Sequence, residues 1–377
     1  MFDNIRYDIL KIFKDKIGKE EKEEDYYNFF KKEQLERLFK INAVIKNDSK
    51  ELAKIALLGT KPKKEVVEEF KKEKKKIYAN LLKCIDDSIL SQLNYYLKAY
   101  QDNLLVIAEN RLKVSLHFVD FLNENCLAKV NYSVSKKILT FYTPLELRKE
   151  IEELLKDKKI KKYSRENTII NGNLHNLIST YGIIPLKNLN IIYNRIYGKI
   201  KEEKLFDSIL LNNIIDDNIR LVPLEDDYLA YGLGFDEEDD VFTFYYQQEE
   251  TLNYKEFNIE EYEKIGEGTY HNDFKEYKEL CKFLEKRLHL DEIELNEFNE
   301  NFILDYIYSY ELDEEIAKKN LKRNLSKMYK DLKPKDATYI SKEILSIARN
   351  YPNFLWKGYS YNEIKKNKKG RKNENRK

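Results

Sequence analysis

Cysteine, proline and glycine are scarce in this chain, and each shortage removes a class of structure. Three cysteines, Cys84, Cys126 and Cys281, stand far apart in 377 residues, with no Cys-x-x-Cys pair. That spacing excludes a disulfide framework and a zinc ribbon, and points to buried, reduced thiols. Only 6 Pro and 11 Gly leave few tight turns and few breakers, which favours long helices. A dominant charge sign is missing too: 68 Lys and Arg face 67 Asp and Glu, a formal net charge of +1. A uniformly basic coat for nucleic acid is thereby excluded, while local patches are not. No apolar run approaches the ~18 residues of a membrane span, and no signal-peptide pattern opens the sequence. The expectation is a cytoplasmic protein with no membrane partner.

Signatures of chemistry are equally thin. The four histidines, His117, His175, His271 and His289, never fall three or four residues from one another or from a cysteine, so no metal pair is encoded locally. His117 reads as a packed helical residue, and His271 and His289 as helix-end residues. Gly266-x-Gly268 lacks a third glycine and any Lys-Ser/Thr, which makes it a turn rather than a phosphate loop. No spaced set of acids and lysine suggests a nuclease. The expectation is a non-enzymatic protein with no cofactor and no metal.

Hydrophobic periodicity supplies the architecture. Residues 1 to about 100 read as helix throughout, with Phe70, Ile77, Leu81, Leu82, Ile85, Ile89, Leu93 and Leu97 on one long apolar side. The interspersed Lys71, Lys72, Lys74, Lys75, Lys76 and Glu65, Glu68, Glu69, Glu73 read as a solvated face. Asn103 to Asn125 reads as another helix. Two β-prone runs, Leu127–Tyr132 and Ile138–Tyr142, then flank a polar turn, and a helix follows from Pro144. A second succession runs from Asn171: a helix closed by Gly182, a short extended piece, a helix with Ile191, Ile192 and Ile196 inward, a third helix, and a ribbon formed by Ile219–Val222 and Tyr228–Tyr231. Both resemble winged-helix order. The expected fold class is mainly α, with helical N- and C-terminal regions flanking two tandem winged-helix-like units with short β-hairpins. The expected boundaries are 1–100, 101–160, 166–232, 233–364 and a disordered basic tail at 365–377, with Lys156 to Arg165 as a linker.

Charge clusters mark the candidate contact residues. Lys136 and Lys137 in the first ribbon turn, Arg148 and Lys149 after it, and Lys158, Lys159, Lys161 and Lys162 in the linker suit a nucleic-acid backbone. The tail adds Lys365, Lys366, Lys368, Lys369, Arg371 and Lys372. An acidic loop, Asp236-Glu237-Glu238-Asp239-Asp240, and Trp356, the single tryptophan, are the candidate contacts for a basic protein partner.

One stretch has the look of a signature: Tyr351-Pro352-Asn353-Phe354-Leu355-Trp356-Lys357-Gly358-Tyr359-Ser360-Tyr361-Asn362-Glu363-Ile364, then Gly370-Arg371-Lys372-Asn373. It resembles the region leading into the terminal zinc knuckle of bacterial SEC-C-motif proteins, and Asn171 to Tyr197 is similar to their helical middle. No cysteine follows in this sequence, so the resemblance carries no zinc site. It implies a place among products of phage, plasmid and genomic-island loci. The expected function is therefore an adaptor binding nucleic acid or a ribonucleoprotein, in phage-host conflict as a defence component or inhibitor. The alternatives are a protein-only module gripping a basic partner, and a cryptic metal-dependent nuclease or hydrolase.

Overall fold

The computed structural model describes residues 26–46, 55, 57–99, 104–108, 114–133, 137–215, 219–232, 235, 238–308 and 314–366. The chain is mainly helical with two small antiparallel sheets. It divides into two compact units, Met1–Gly172 with Phe206–Asp217, and Asn173–Leu205 with Asn218–Lys377. Among the described residues no helix is long and apolar enough to cross a membrane.

In the first unit, α1 (Lys32–Lys46), α2 (Lys63–Cys84) and α3 (Asp87–Ala99) enclose an aromatic core. Val66, Val67, Phe70, Ile77, Tyr78, Leu81 and Leu82 recur at helical spacing along α2 and are all buried. The edges of the Tyr27, Phe39 and Tyr78 rings meet the Phe70 ring at centroid distances of 4.9, 6.0 and 5.8 Å. Tyr26 and Tyr78 both donate hydroxyl hydrogen bonds to the Cys126 carbonyl, at 3.3 and 2.9 Å, which ties α2 to the turn after α4 (Leu116–Glu124).

The stretch expected to be helical from Asn103 to Asn125 is instead strand and helix. β1 (Leu104–Ala108) pairs antiparallel with β3 (Ile138–Tyr142), which also pairs with β2 (Lys129–Ser133), giving the order β1-β3-β2. Leu-Leu-Val-Ile-Ala has no polar position, so periodicity cannot separate strand from buried helix. Backbone pairing with β3, in the register Leu105↔Phe141, decides it. In α4 the buried face is Phe118, Val119, Phe121 and Leu122, while His117, expected to pack, is exposed, as is Leu116.

α5 (Leu145–Leu154) leads to α6, and α6 overturns the linker expectation. Lys158–Tyr181 is one helix, running through both the lysine-rich stretch and Asn171-Gly172-Asn173. Its inner face is anchored at the α2–α3 junction. Ser164 Oγ donates to Asp87 Oδ1 at 2.9 Å, Asn167 Nδ2 to the Lys83 carbonyl at 2.8 Å, and the Asp87 amide to Thr168 Oγ1 at 2.9 Å. The expected boundary between 160 and 166 thus falls inside a helix.

Within the second unit, Gly182, at φ +66°, ends α6. β4 (Ile183–Pro185), α7 (Leu186–Ile196) and α8 (Glu202–Ile215) follow, then β5 (Ile219–Leu224) and β6 (Asp227–Gly232) in the sheet order β4-β6-β5. Pro185 and Pro223 sit on edge strands, where a missing amide disrupts no central ladder. From Phe206 onward α8 groups with the first unit, and Leu211 packs on that unit's core. Residues 166–232 are therefore shared between the two units rather than forming one body.

The acidic stretch expected as a loop enters a helix. Asp239 and Asp240 lie in the first turn of α9 (Glu238–Gln247), where negative charge complements the helix dipole. Phe242, Phe244 and Tyr245 pack on the small core of Ile183, Val222, Leu229 and Tyr231. Beyond it come α10 (Ile259–Gly266), α11 (Lys275–Leu288), α12 (Glu292–Phe298), a π-helical segment (Asn299–Leu304), α13 (Asp305–Tyr308), α14 (Glu314–Met328) and α15 (Pro334–Asn350). Asn258 with Glu261 and Asp291 with Glu294 form complete capping boxes at α10 and α12.

Candidate functional site

The lysines of the expected linker acquire a common direction once they are helical. Lys158, Lys161, Lys162 and Arg165 occupy positions i, i+3, i+4 and i+7 of α6 and therefore share one face. All four are exposed, as is Lys159, while Ile160 and Ser164 hold the opposite face in the core. The same exposed face continues to Ile169, whose side chain is 62% exposed. Compensation is slight: Lys162–Glu166 is 3.7 Å and Arg165–Asp87 3.9 Å, and Lys158, Lys159 and Lys161 form no ion pair among the described residues. The first turn contains no acid, and the helix dipole places positive potential where the lysines cluster. Asp157, accepting from the Lys159 amide at 2.9 Å, partly offsets it. By contrast, the lysines of α2 are interleaved with partners such as Lys71–Glu68 and Lys74–Glu150.

The other expected contact residues scatter. Arg148 is 7% exposed and belongs to the buried face of α5, so its guanidinium is not on an open phosphate-contacting surface. Its apolar neighbours Leu147 and Ile151 carry it inward. Lys149 is exposed on α5, and Lys137 is exposed in the ribbon turn at φ +48°. Lys365 and Lys366 are exposed at the end of a helical turn. Lys136, Lys368, Lys369, Arg371 and Lys372 lie outside the described residues, as do Asp236, Glu237 and the Glu238 side chain; Asp239 and Asp240 are exposed.

The signature segment proves to be a compact structural clasp. The Asn353 side chain accepts from the Leu355 amide, and Asn353 and Tyr359 close the loop through their backbones. Gly358, at φ +88°, brings the loop against the Tyr181 and Phe257 rings, where a Cβ would meet carbons at 3.1 and 3.3 Å. Ser360 and Glu363 exchange backbone-to-side-chain bonds as a capping box, which explains the Ser-x-x-Glu spacing. The clasp is stitched to residues 248–257: Gln248 Nε2 donates to the Ile183 and Phe354 carbonyls, the Glu249 amide to Leu355, and the Lys255 amide to Lys357. Trp356, expected as a partner contact, is half-buried with its ring 5.6 Å from that of Tyr361.

Between α7, residues 245–256 and this clasp lies a cavity of about 780 Å³. Asn188, Ile191, Ile192 and Arg195 line it from α7 at positions i, i+3, i+4 and i+7. Ile191, expected inward, is exposed because it faces this space. Tyr245, Tyr254, Tyr359, Lys255 and Lys357 also line it, together with the acids Glu250 and Glu256. Arg195 is paired with Glu256, and Lys255 with Glu363 at 2.8 Å. Lys357 forms no ion pair among the described residues; its Nζ donates to the Leu252 carbonyl at 3.0 Å, and burial lowers its pKa against the opposing pull of Glu250 and Glu249. No sequence pattern could assemble these residues, since they come together only through tertiary contacts.

Among the described residues, Cys126 and Cys281 are not activated. Desolvation pushes the Cys126 thiol far up, and burial also raises Cys281, so neither is an activated nucleophile. Among the described residues no cluster of His, Cys, Asp and Glu could hold a metal ion. His271 is fully buried, its Nε2 2.6 Å from Asn299 Oδ1 at the start of the π-helical segment, and its Nδ1 has no protein partner. The amide oxygen only accepts, so Nε2 donates and the ring is neutral, with burial lowering its pKa. The unfolded chain then takes up this proton first, so the contribution to stability is present above about pH 6.5 and fades as pH falls below it. Thermal melts from pH 8 to 5 should show this acid-side loss in the native chain, and His271→Gln should flatten it.

Compared with protein families, curated proteins and solved structures, the chain matches none of them.

Proposed function

We propose that the protein is a non-enzymatic adaptor that engages the phosphate backbone of nucleic acid, free or within a ribonucleoprotein, through the exposed face of α6. The observation that carries this reading is the placement of Lys158, Lys161, Lys162 and Arg165 on one face at the positive end of a helix dipole. Like charges gathered there oppose folding stability. An anionic partner relieves the repulsion and gives the arrangement a purpose. Two further features support a winged-helix ancestry for the flanking segments: the sheet orders β1-β3-β2 and β4-β6-β5, and the succession of helices before each ribbon. The resemblance to SEC-C-motif proteins extends the proposal to conflict between phage and host. Asp239 and Asp240 lie at a helix start, and no specific observation favours the basic-partner alternative.

The test is binding to duplex DNA and to RNA across a salt series, using the full chain. Each lost phosphate contact lowers the slope of log affinity against log salt by about 0.9 for duplex DNA. Joint replacement of Lys158, Lys161, Lys162 and Arg165 by glutamate should weaken binding by about a hundredfold or more at low salt and flatten that slope. A second arm removes residues 365–377. Unchanged affinity in the four-fold variant, or binding indifferent to salt, would sink the proposal; loss only on tail removal would move the contact to the tail.

A further inference from the structure

Lys357 carries two costs at one position. It is not glycine, yet it adopts the left-handed conformation at φ +51°. Its ammonium group is also partly desolvated, bonded to a carbonyl oxygen and set over the Tyr254 ring, 5.4 Å from its centroid, with Glu250 and Glu249 nearby but not paired with it. Glycine or asparagine would fill the same turn with less strain. Both costs fall on the one lysine of the clasp that lines the 780 Å³ cavity.

The surroundings restrict what such a lysine could serve. Inorganic phosphate alone is far smaller than the space. Three tyrosines, Tyr245, Tyr254 and Tyr359, in the lining suit a planar group, and Ile191 adds an exposed apolar side chain. The amides of Asn188 and Asn253 supply both donors and acceptors of the kind that reads a base edge. Arg195 and Lys255 are already paired with carboxylates of the same chain, whereas Lys357 forms no ion pair among the described residues and feels Glu250 and Glu249 only through space, which leaves it the cation most open to an anion. Volumes of this order are usual for sites that enclose a small organic ligand.

We propose that this cavity binds a nucleoside monophosphate unit, with the base against the tyrosine rings and the phosphate at Lys357. The unit comes either as a free nucleotide or as the 5′-phosphorylated end of a single strand. The proposal is independent of the lysine-rich face of α6, and the experiment separates the two.

The full chain is titrated with AMP, UMP, inorganic phosphate and adenosine by calorimetry, with Trp356 fluorescence as a second readout, since that residue adjoins Lys357. Saturable binding of a monophosphate with a dissociation constant at or below about 1 mM is expected, with phosphate and adenosine weaker by about tenfold or more. Lys357→Gly should lose about tenfold or more in affinity while its melting temperature holds or rises, because the backbone strain is relieved. Ile191→Glu, at an exposed helical position, should also weaken binding by adding negative charge beside the phosphate. The glutamate variant of the α6 face should bind AMP as the native chain does. Competition by a 5′-phosphorylated oligonucleotide assigns the strand end as source, and its absence assigns the free nucleotide. Failure of both monophosphates to saturate, or undiminished binding by Lys357→Gly, overturns the proposal.

Discussion

Gly182→Ala should destabilise the second unit by about 2–5 kcal/mol, the sum of a left-handed backbone penalty and an overpacking term. Gly182 sits at φ +66° with its amide donating to the Ile178 carbonyl at 2.7 Å, which is how α6 stops and β4 begins. Left-handed geometry alone costs an L-residue about 1–2 kcal/mol. The space above the Cα is also taken. A Cβ there would lie 2.5 Å from Cγ and 2.8 Å from Cε2 of Phe354, within the ring rather than at the end of a flexible chain. The ring cannot simply swing away, because Phe354 belongs to the turn whose carbonyl accepts from Gln248 and whose neighbours pair with residues 249 and 255. Urea melts followed by Trp356 emission would report the loss, with that tryptophan two residues from the displaced ring. A midpoint unchanged from the native chain would show that the clasp does not pack against the helix end.

Phe70→Ala should cost about 3–5 kcal/mol in the first unit, the range for removing a buried aromatic side chain. Phe70 is fully buried in the middle of α2, and three rings meet its own at edge-on angles. Truncation leaves a void that Tyr27 and Tyr78 cannot fill without moving. The Tyr78 hydroxyl is held by the Cys126 carbonyl, and that hydrogen bond resists collapse into the space. Amide hydrogen exchange is the suitable measure, because the two units need not unfold together. Protection along Lys63–Cys84 should fall by about two to three orders of magnitude or more if exchange there proceeds through unfolding of the unit. A change within a few-fold would mean that the aromatic cluster contributes little.

How much was legible differs by the range of the interaction that decides it. α2, α3, α5, α7 and the two ribbons were visible because their apolar spacing is local and strongly periodic. β1 was not, since five consecutive apolar residues fit either state until β3 supplies a partner. The helix through Lys158–Arg165 was hidden by its lysines: composition suggested a linker, and only the inward Ile160, Ser164 and Asn167 show why the stretch is helical. The α6 contact face follows from residues already singled out, once their helical geometry is known. The cavity was illegible because its walls come from residues 185–195, 245–256 and 357–359. The lone hint was local, a lysine beside Gly358 in an otherwise aromatic turn.

Synthesis from the N-terminus imposes an order on the clasp. Gly182, Tyr181 and Gln248 leave the ribosome well before Phe354, Leu355 and Gly358 have been translated. Throughout that interval the tyrosine surface they cover is bare, and one carbonyl that Gln248 needs does not yet exist. The second unit is consequently closed after translation of residues 353–364, and a chain halted before residue 353 would keep an open, aggregation-prone flank.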